Sequence, residues 1–365
     1  EAFRDGSVVQ PSIFAIEYAL AQVLRRDFGI QAVAVLGHSL GEIVASCVAG
    51  VLSLQDALTL ASGRGKAMAT VPKGGGLMAA VRGGIEEVQA VLGSAGAEVE
   101  IAAVNSPTSV VISGFKDKVL AGIAALEARS IKVTKLGTTH GFHSAQIQPA
   151  MVHLQKVADA LNPGQATGGI AVVSTATGKV MSGPPVGEYW ANHARGSVLF
   201  REGVLAAATE LKCNVFLEVG SQPHLSRHIE DVLKEAGLDG RVVPTLRKGK
   251  PDVNRVYQAA AGLHVAGVPL DWDRVAAGGA RVRLPAPAAI GARYWIKKDA
   301  AAPPMIAFRG ADATAAWAPA AGTQAARPQG ALLPRTQSAP MLGKDDEEED
   351  ERLTWVVDWV KQPAP

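Results

Sequence analysis

The sequence contains few of the residues that mark extracellular or nucleic-acid-binding proteins. Its two cysteines, Cys47 and Cys213, lie in no CxxC or zinc-spaced pattern, which excludes a disulfide framework and a structural zinc site. Lysine and arginine total 36 against 34 for aspartate and glutamate, so the net charge of +2 creates no field that would attract nucleic acid. We therefore expect a cytoplasmic protein that does not bind nucleic acid.

Long apolar runs are also missing, although hydrophobic residues make up 48% of the chain. The apolar stretch 32–36 is far shorter than the roughly 18 residues that cross a bilayer, and the acidic start Glu1–Asp5 does not resemble a signal peptide. Aromatic residues amount to only 5%, a composition typical of a soluble α/β enzyme. The composition therefore predicts a folded protein with no membrane segment.

Hydrophobic periodicity predicts a strand, a tight turn and a helix near the start of the chain. Residues 11–28 carry apolar side chains at helical spacing and predict a first amphipathic helix. Residues 32–36 predict a buried parallel strand, and the motif GHSLG at 37–41 follows it directly. A second helical pattern then runs through Val48.

The segment 73–138 has a different pattern and is interpreted as an inserted subdomain. After the glycines at 74–76, its elements read strand, helix, strand, strand, helix, strand, which is the ferredoxin-like order. The α/β pattern then resumes, with strands predicted within 169–178 and 215–219. The fold class that these patterns predict is α/β, with a parallel-sheet core and a ferredoxin-like insertion.

The composition changes after residue 273. Residues 274–298 are interpreted as a linker, and residues 299–351, rich in alanine and proline and ending in an acidic run, predict a disordered linker. The sequence LTWVVDWV at 353–360 is strand-like again. We interpret 352–365 as the start of a following domain.

A catalytic serine is predicted at the motif GHSLG. A G-x-S-x-G turn between a strand and a helix projects the oxygen of Ser39, and the backbone N–H of Leu40 can bind a developing oxyanion. The alternative is an ordinary glycine turn, but the strand before the motif and the helix after it favour catalysis. No metal-binding cluster is evident in the sequence.

A serine nucleophile needs a base, and histidine is the usual one. His38 is adjacent to Ser39 in the turn and would point away from it. The segment THGFHS at 139–144 brings His140 and His143 to the point where the chain leaves the insertion, and a cleft between subdomains is the usual place for a site. The histidines at 153, 228 and 264 are interpreted as surface or core residues.

Five motifs, in this order, resemble the acyltransferase domains of type I polyketide and fatty acid synthases. They are GHSLGE at 37–42, RGKAM at 64–68, VNSP at 104–107 with Ser113-Gly114, HGFHS at 140–144 and FLEVG at 216–220. The resemblance covers residues 8–273 and implies an α/β-hydrolase-like core with a ferredoxin-like insertion. Residues 284–296 resemble the linker that follows such domains, and 353–365 resemble the start of a ketoreductase or another processing domain.

The resemblance assigns a role to each matching residue. It makes Ser39 the nucleophile, His143 the base and Leu40 the oxyanion donor, and it makes Arg64 the group that grips the free carboxylate of a dicarboxylic acyl group. A guanidinium suits that task because it forms two parallel hydrogen bonds to a carboxylate. The remaining candidates are His140, Phe142 and Asn105 for substrate binding, and His193, with Asn192 second, for orienting the base through a side chain or the main chain.

The implied reaction is transfer of a malonyl group from malonyl-CoA, through an acyl-serine, to the phosphopantetheine thiol of an acyl carrier protein. The domain needs no cofactor of its own, and its implied neighbours are ketosynthase and processing domains of one synthase. In this family His-Ala-Phe-His accompanies malonyl and Tyr-Ala-Ser-His accompanies methylmalonyl, so the sequence at 140–143 predicts malonyl. Gly141 in place of alanine is expected to loosen the loop.

Two other functions and one departure from the family pattern accompany this interpretation. A serine hydrolase or thioesterase would use the same turn but has no use for Arg64, and an inactive scaffold fragment would not need Ser39 and His143 intact. Family members begin with a strand and a glycine/glutamine-rich loop that supplies a second oxyanion donor. This chain starts downstream of them, so we expect that first strand to be absent and the domain to be a truncated piece of a longer synthase.

Overall fold

The computed structural model describes residues 5–277, Gly279 and the strand 352–357. The chain divides into two units, residues 1–278 with 349–365 and residues 279–348, and the second lies outside the described residues apart from Gly279. The predicted linkers at 274–298 and 299–351 therefore fall almost wholly outside the described part of the chain.

The first unit consists of helices and strands that are mixed along the chain. In chain order they are α1 (Gly6–Asp27), β1 (Ala34–Gly37), α2 (Gly41–Val48), α3 (Leu54–Ala69), β2 (Gly76–Arg82), α4 (Ile85–Ser94), β3 (Glu100–Ser106), β4 (Ser109–Phe115), α5 (Lys116–Ala128), β5 (Val133–Lys135), a 3₁₀ turn (Ala145–Ala150), α6 (Met151–Asp159), β6 (Ala171–Ser174), β7 (Lys179–Val180), α7 (Gly187–Arg195), β8 (Val198–Leu199), α8 (Phe200–Thr209), β9 (Cys213–Val219), α9 (Ser226–Glu235), β10 (Arg241–Pro244), α10 (Asp252–Val265), α11 (Trp272–Val275) and β11 (Arg352–Val357).

A six-stranded sheet forms the centre of this unit. Its strand order is β10-β9-β11-β1-β6-β7, and neighbouring strands are parallel except for the short β6–β7 pair. β1 is buried along its whole length, as expected of a parallel strand covered on both faces. The turn that carries Ser39 directly follows the carboxyl end of β1.

The strand between β9 and β1 comes from the far end of the sequence. β11 pairs in parallel with both neighbours, with Thr354 opposite Ala34 of β1 and Phe216 of β9. The sequence predicts instead that 352–365 begin a following domain and that a core strand is absent. The physical reason for the difference is that β1 and β9 would otherwise leave two rows of backbone N–H and C=O groups unpaired in the middle of the sheet.

The first helix is longer than the sequence predicts. α1 begins at Gly6 because the carboxylate of Asp5 accepts a hydrogen bond from the backbone N–H of Ser7 and caps the helix. By length and composition α1 could cross a membrane. Its apolar face, however, includes the fully buried Phe14 and Leu24 and packs against α3, as in the core helix of a folded domain.

A second sheet contains the inserted segment. Its order is β5-β2-β4-β3-β8, with antiparallel pairs throughout except the parallel pair of β3 and β8. Its own core contains Val81, Val88, Ile112 and Val119 among others. β8 follows α7 in the chain, so the main part of the unit contributes an edge strand to this sheet. The sheet thus lies directly beside the end of α7.

The motif FLEVG ends β9 and organises the turn that follows it. The buried carboxylate of Glu218 accepts hydrogen bonds from the backbone N–H groups of His224, Leu225 and Ser226. These are the donors at the start of α9 that have no partner inside the helix. Glu218 is therefore a helix-capping residue.

Candidate active site

Ser39 lies in the tight turn between β1 and α2. Its φ of 53° is in the left-handed region, a strained conformation for a residue with a side chain and one that clusters at functional sites. Gly37 is needed before it, because a Cβ atom there would lie 2.0 Å from the carbonyl carbon of Gly41. The turn thus holds the serine hydroxyl at the carboxyl end of β1.

Ser39 and His143 form a hydrogen-bonded pair. Ser39 Oγ lies 2.8 Å from His143 Nε2, and His143 Nδ1 lies 2.8 Å from the carbonyl oxygen of Gly196. A carbonyl oxygen can only accept, so Nδ1 carries the proton and the Nε2 lone pair faces the serine hydroxyl. This tautomer is the one in which His143 can take the serine proton.

The group that orients His143 is a backbone carbonyl and not a side chain from the segment 189–193. The sequence assigns this role to His193 or Asn192. His193 instead turns toward Glu42, with its Nε2 3.6 Å from Glu42 Oε2, and the carbonyl of Asn192 accepts a 2.7 Å hydrogen bond from the N–H of Gly196. The acceptor for His143 is Gly196 because α7 ends just before it and exposes its carbonyl.

His143 is buried and lies near positive charge. Burial, the guanidinium of Arg64 and the ring of His193 hold the pKa of His143 well below its usual range, while the hydrogen bond to Gly196 acts in the opposite direction. The imidazole is therefore neutral at pH 7. A neutral imidazole can act as a general base without first losing a proton.

Arg64, from α3, contacts the nucleophile directly. Its Nη2 donates a 2.9 Å hydrogen bond to Ser39 Oγ and its Nη1 a 2.8 Å hydrogen bond to Oε1 of Gln10. Only 1% of Arg64 is exposed, and burial lowers its pKa to about 10, so the guanidinium keeps its charge at neutral pH. A buried cation beside the serine oxygen can bind an anionic group attached to that oxygen.

His140 and Phe142 lie in the loop that leads to His143. His140 Nε2 is 2.8 Å from the carbonyl oxygen of Val71 and its Nδ1 is 2.9 Å from Oγ1 of Thr139. Both ring nitrogens are thus bonded within the protein, and His140 fixes the loop rather than presenting a nitrogen to a ligand. The ring of Phe142 is buried with its centroid 5.5 Å from that of His140.

Leu40 is part of the serine turn, and Asn105 contacts that turn at His38. Leu40 is fully buried as the N-cap of α2, which puts its backbone N–H at the positive end of that helix. Asn105 Oδ1, from β3, lies 2.9 Å from Nε2 of His38. Asn105 therefore joins the inserted sheet to the residue before the nucleophile, and the structure shows it holding the turn.

Comparison with known proteins identifies the family. The model of the acyl transferase domain family matches residues 1–269. The polyketide synthase GfsA of Streptomyces halstedii is 37% identical over 295 residues, which are 80% of this chain and 4% of that protein. The chain belongs to the acyltransferase domains of type I polyketide synthases.

Solved acyltransferase domains have the same fold. The domain from the second module of the salinomycin polyketide synthase is 33% identical with a TM-score of 0.69, over 74% of this chain and 63% of that one. The domain of SpnD in complex with 2-(pent-4-yn-1-yl)malonyl is 26% identical with a TM-score of 0.65, over 72% of this chain and 63% of that one. This acyltransferase chain spans less than two thirds of either structure and a small fraction of GfsA.

Sequence reasoning did not identify three polar residues of the acyltransferase site. Gln10 holds Arg64, Glu42 and Tyr189 are hydrogen-bonded to each other, and both Gln10 and Glu42 are buried. Gln10 precedes the helix predicted at 11–28 and was not detectable as part of it, whereas Glu42 was detectable as a charge in the first turn of a buried helix. Tyr189 gave no local signal because its partner is far away in the sequence.

A cavity of about 510 Å³ leads to His143 in the acyltransferase domain. It lies between the inserted sheet and the turn after α7, and its lining includes Gly93, Glu100, Arg195 and Ser197. An ion pair of 2.7 Å joins Arg195 to Glu100 on its wall. Within the described residues no group of three His, Cys, Asp or Glu side chains could hold a metal ion.

Proposed function

We propose that this acyltransferase domain transfers a malonyl unit from malonyl-CoA to the phosphopantetheine thiol of an acyl carrier protein. The observation that carries the proposal is the pair of contacts at Ser39 Oγ, which lies 2.8 Å from the base His143 and 2.9 Å from the buried cation Arg64. A malonyl ester on this oxygen carries its carboxylate two bonds beyond the ester carbonyl carbon. Arg64 lies within reach of that carboxylate, which an acetyl group lacks.

The reaction proceeds in two half-steps. In the first, Ser39 Oγ attacks the thioester carbonyl while its proton passes to Nε2 of His143; the C–S bond then breaks and the departing CoA sulfur receives that proton. In the second, the carrier thiol gives its proton to Nε2, its sulfur attacks the acyl-serine, and Ser39 Oγ leaves with the proton. The backbone N–H of Leu40 stabilises both tetrahedral oxyanions.

Malonyl is the proposed acyl group in preference to methylmalonyl. Phe142 directly precedes the base His143 in the sequence, and its ring is buried against that of His140. This ring supports the choice because an α-methyl group would have to displace it. Overpacking of this kind costs about 1–3 kcal/mol.

The related SpnD domain binds a substituted malonyl group, which supports a dicarboxylic acyl group here.

A hydrolase or thioesterase is the second candidate function. Such an enzyme usually orients its histidine with an aspartate or glutamate, whereas His143 donates to the carbonyl of Gly196. The third candidate, an inactive scaffold fragment, would not need a buried Arg64 bonded to the nucleophile. Both observations favour transfer of the acyl group to a thiol over hydrolysis and over an inactive fragment.

The same proposal extends to the surroundings of the site. The acyltransferase domain is formed by 1–273 together with the strand 352–357, and the large sheet is its α/β-hydrolase-like core. Residues 73–138 form its ferredoxin-like insertion, with linkers at 274–298 and 299–351. The domain works in the cytoplasm, beside ketosynthase and processing domains of one synthase. Its own partner is the acyl carrier protein.

Labelling with radioactive malonyl-CoA tests the reaction. We expect the full chain to form a stable ester whose label maps to the peptide containing Ser39, and to lose the label to a carrier protein with a free pantetheine thiol. Ser39→Ala should not be labelled, and His143→Ala should be labelled about 10²–10⁴ times more slowly. Stable labelling of Ser39→Ala at another residue contradicts the assignment.

Competition between the two CoA esters tests the choice of acyl group. We expect the wild type to be labelled faster by malonyl-CoA than by methylmalonyl-CoA, and Phe142→Ser to shift that ratio toward methylmalonyl-CoA by about tenfold, the equivalent of a packing cost near 1.4 kcal/mol. Equal use of both esters by the wild type, or an unchanged ratio in the variant, contradicts the proposed selectivity.

A further inference from the structure

Glu42 is a buried carboxylate one turn beyond the nucleophile. It lies in the first turn of α2 and is fully buried. Its Oε2 accepts a 2.7 Å hydrogen bond from the backbone N–H of Thr175 and lies 2.7 Å from the Thr175 hydroxyl. Its Oε1 accepts a hydrogen bond from the hydroxyl of Tyr189. A buried carboxylate with this many donors is fixed in place.

Two of the groups around Glu42 belong to α7. Tyr189 and His193 are four residues apart in this helix and so lie on one face, and the His193 ring is stacked on that of Tyr189. His193 Nε2 lies 3.6 Å from Glu42 Oε2. Burial alone would raise the pKa of Glu42, but His193 and the hydrogen bonds from Tyr189 and Thr175 hold it below its usual value. Glu42 therefore joins the start of α2 to one face of α7.

The end of the same helix carries the acceptor for the base. α7 ends at Arg195, and the carbonyl of Gly196 accepts the hydrogen bond from His143 Nδ1. The position of that carbonyl is set by where α7 lies relative to α2, because Gly196 is itself bonded to Asn192 in the last turn. Ser39 lies two residues before the start of α2.

We propose that Glu42 is a positioning residue that sets the His143 acceptor relative to the nucleophile. The path runs from Ser39 through α2 to Glu42, from Glu42 through Tyr189 and His193 to α7, and from Gly196 to His143. The proposal rests on the proposed dyad of Ser39 and His143. It does not depend on which acyl group is transferred.

The rate of Ser39 acylation and the NMR signal of the His143 Nδ1 proton test this proposal in the full chain. Glu42→Gln removes the charge and one acceptor, and Tyr189→Phe keeps the charge but removes the hydrogen bonds of the hydroxyl to Glu42 and Ser174. We expect Glu42→Gln to slow single-turnover acylation by malonyl-CoA about 10- to 100-fold and Tyr189→Phe less, because small displacements of a catalytic group are costly. The dissociation constant of malonyl-CoA, measured with Ser39→Ala in each background, should stay within about twofold, since the contact of Arg64 with Gln10 involves neither Glu42 nor Tyr189.

Tyr18→Phe is the matched control, because Tyr18 is a partly buried tyrosine on α1 whose ring stacks on that of Phe14. It should leave the acylation rate and the downfield Nδ1 proton signal unchanged, whereas Glu42→Gln and Tyr189→Phe should shift or broaden that signal. A folded Glu42→Gln with wild-type rate and signal overturns the proposal; if Glu42→Gln does not fold, a wild-type rate and signal in Tyr189→Phe overturn it. The NMR signal needs no substrate, so failure of the wild type to accept malonyl-CoA would refute only the proposed reaction.

Discussion

The two members of the dyad share an unusual backbone conformation. Ser39 has φ of 53° and His143 has φ of 58°, and among the described non-glycine residues only Ser130 and Lys212 share this region. Left-handed backbone costs of order 1–3 kcal/mol per residue when a side chain is present. The fold therefore stores strain at both reacting side chains and fixes their directions by backbone as well as by hydrogen bonds.

The lowered pKa of His143 predicts a pH profile. His143 must be neutral to act as the base. Burial, Arg64 and His193 hold its pKa below the usual value of 6.5. The acid limb of kcat/KM, which reports the free enzyme, should therefore lie below pH 6.5. Arg64→Ala removes a positive charge, so the pKa of His143 should rise and the limb should move to higher pH.

Acetyl-CoA is the substrate for this measurement, because it has no carboxylate for Arg64 to bind. Arg129→Ala is the control, since Arg129 is exposed at the end of α5, and its profile should match the wild type. A wild-type limb above pH 6.5, or a limb that Arg64→Ala leaves in place, would refute this account of the base.

The Arg64 side chain also predicts substrate preference. Each charged hydrogen bond from its guanidinium to a malonyl carboxylate should contribute about 1.5–3 kcal/mol. Arg64→Ala should therefore lower the malonyl-to-acetyl ratio of kcat/KM by at least about tenfold, and Arg64→Lys, which keeps the charge but not the paired donors, should fall between the two. An unchanged ratio in Arg64→Ala would make Arg64 a structural residue.

The loop 140–143 is tightly packed, contrary to the expectation from its glycine. A Cβ atom on Gly141 would lie 2.5 Å from the carbonyl oxygen of Gly114 in β4, and one on Gly76 of β2 would lie 2.1 Å from the N atom of Gly141. Three glycines thus let the catalytic loop rest against the backbone of the inserted sheet. The prediction that Gly141 loosens the loop is wrong, because the absence of a Cβ atom allows this close contact.

Gly141→Ala should therefore be harmful. The added methyl group must push the loop away from Gly114, so the variant should lose about 1–3 kcal/mol of unfolding free energy and acylate Ser39 more slowly. Denaturant titration and single-turnover labelling measure the two effects. Gly164→Ala, where a Cβ atom meets nothing within 4 Å, is the control, and equal behaviour of the two variants would refute the contact.

The structural features that could be predicted are those determined by residues close together in the sequence. The strand, turn and helix around Ser39 were predictable because alternation, glycine and apolar spacing act over a few residues, and the elements of 77–136 were predictable for the same reason. The Gly196 carbonyl and the contacts of Glu42 with α7 were not, since each joins residues far apart in the chain. Every residue has a backbone carbonyl, so no residue type in the sequence marks the acceptor of the His143 hydrogen bond.

A strand from the far end of the chain lies in the middle of the large sheet. β11 lies between β9 and β1 and pairs with both, so it connects the two halves of the sheet. We expect backbone amides of 352–357 to exchange with solvent as slowly as those of β1. Thr354→Pro should destroy one donor in a central strand and lower the unfolding free energy by at least about 1 kcal/mol.

Hydrogen exchange followed by mass spectrometry and denaturant titration measure these effects. Ala301→Pro, outside the described residues, is the control for a proline placed elsewhere in the same chain and should leave the exchange of β1 unchanged. Rapid exchange throughout 352–357, together with wild-type stability of Thr354→Pro, would show that β11 does not hold the sheet together.

The backbone acceptor of His143 has a consequence for the lifetime of the acyl-enzyme. A carbonyl dipole stabilises an imidazolium less than a carboxylate does, so His143 is a weaker base than its counterpart in a triad. Water, which holds its proton very tightly, needs strong help to attack an ester, whereas a thiol with a pKa near 8.5 needs little. The ester on Ser39 should therefore decay slowly in water and react readily with a thiol.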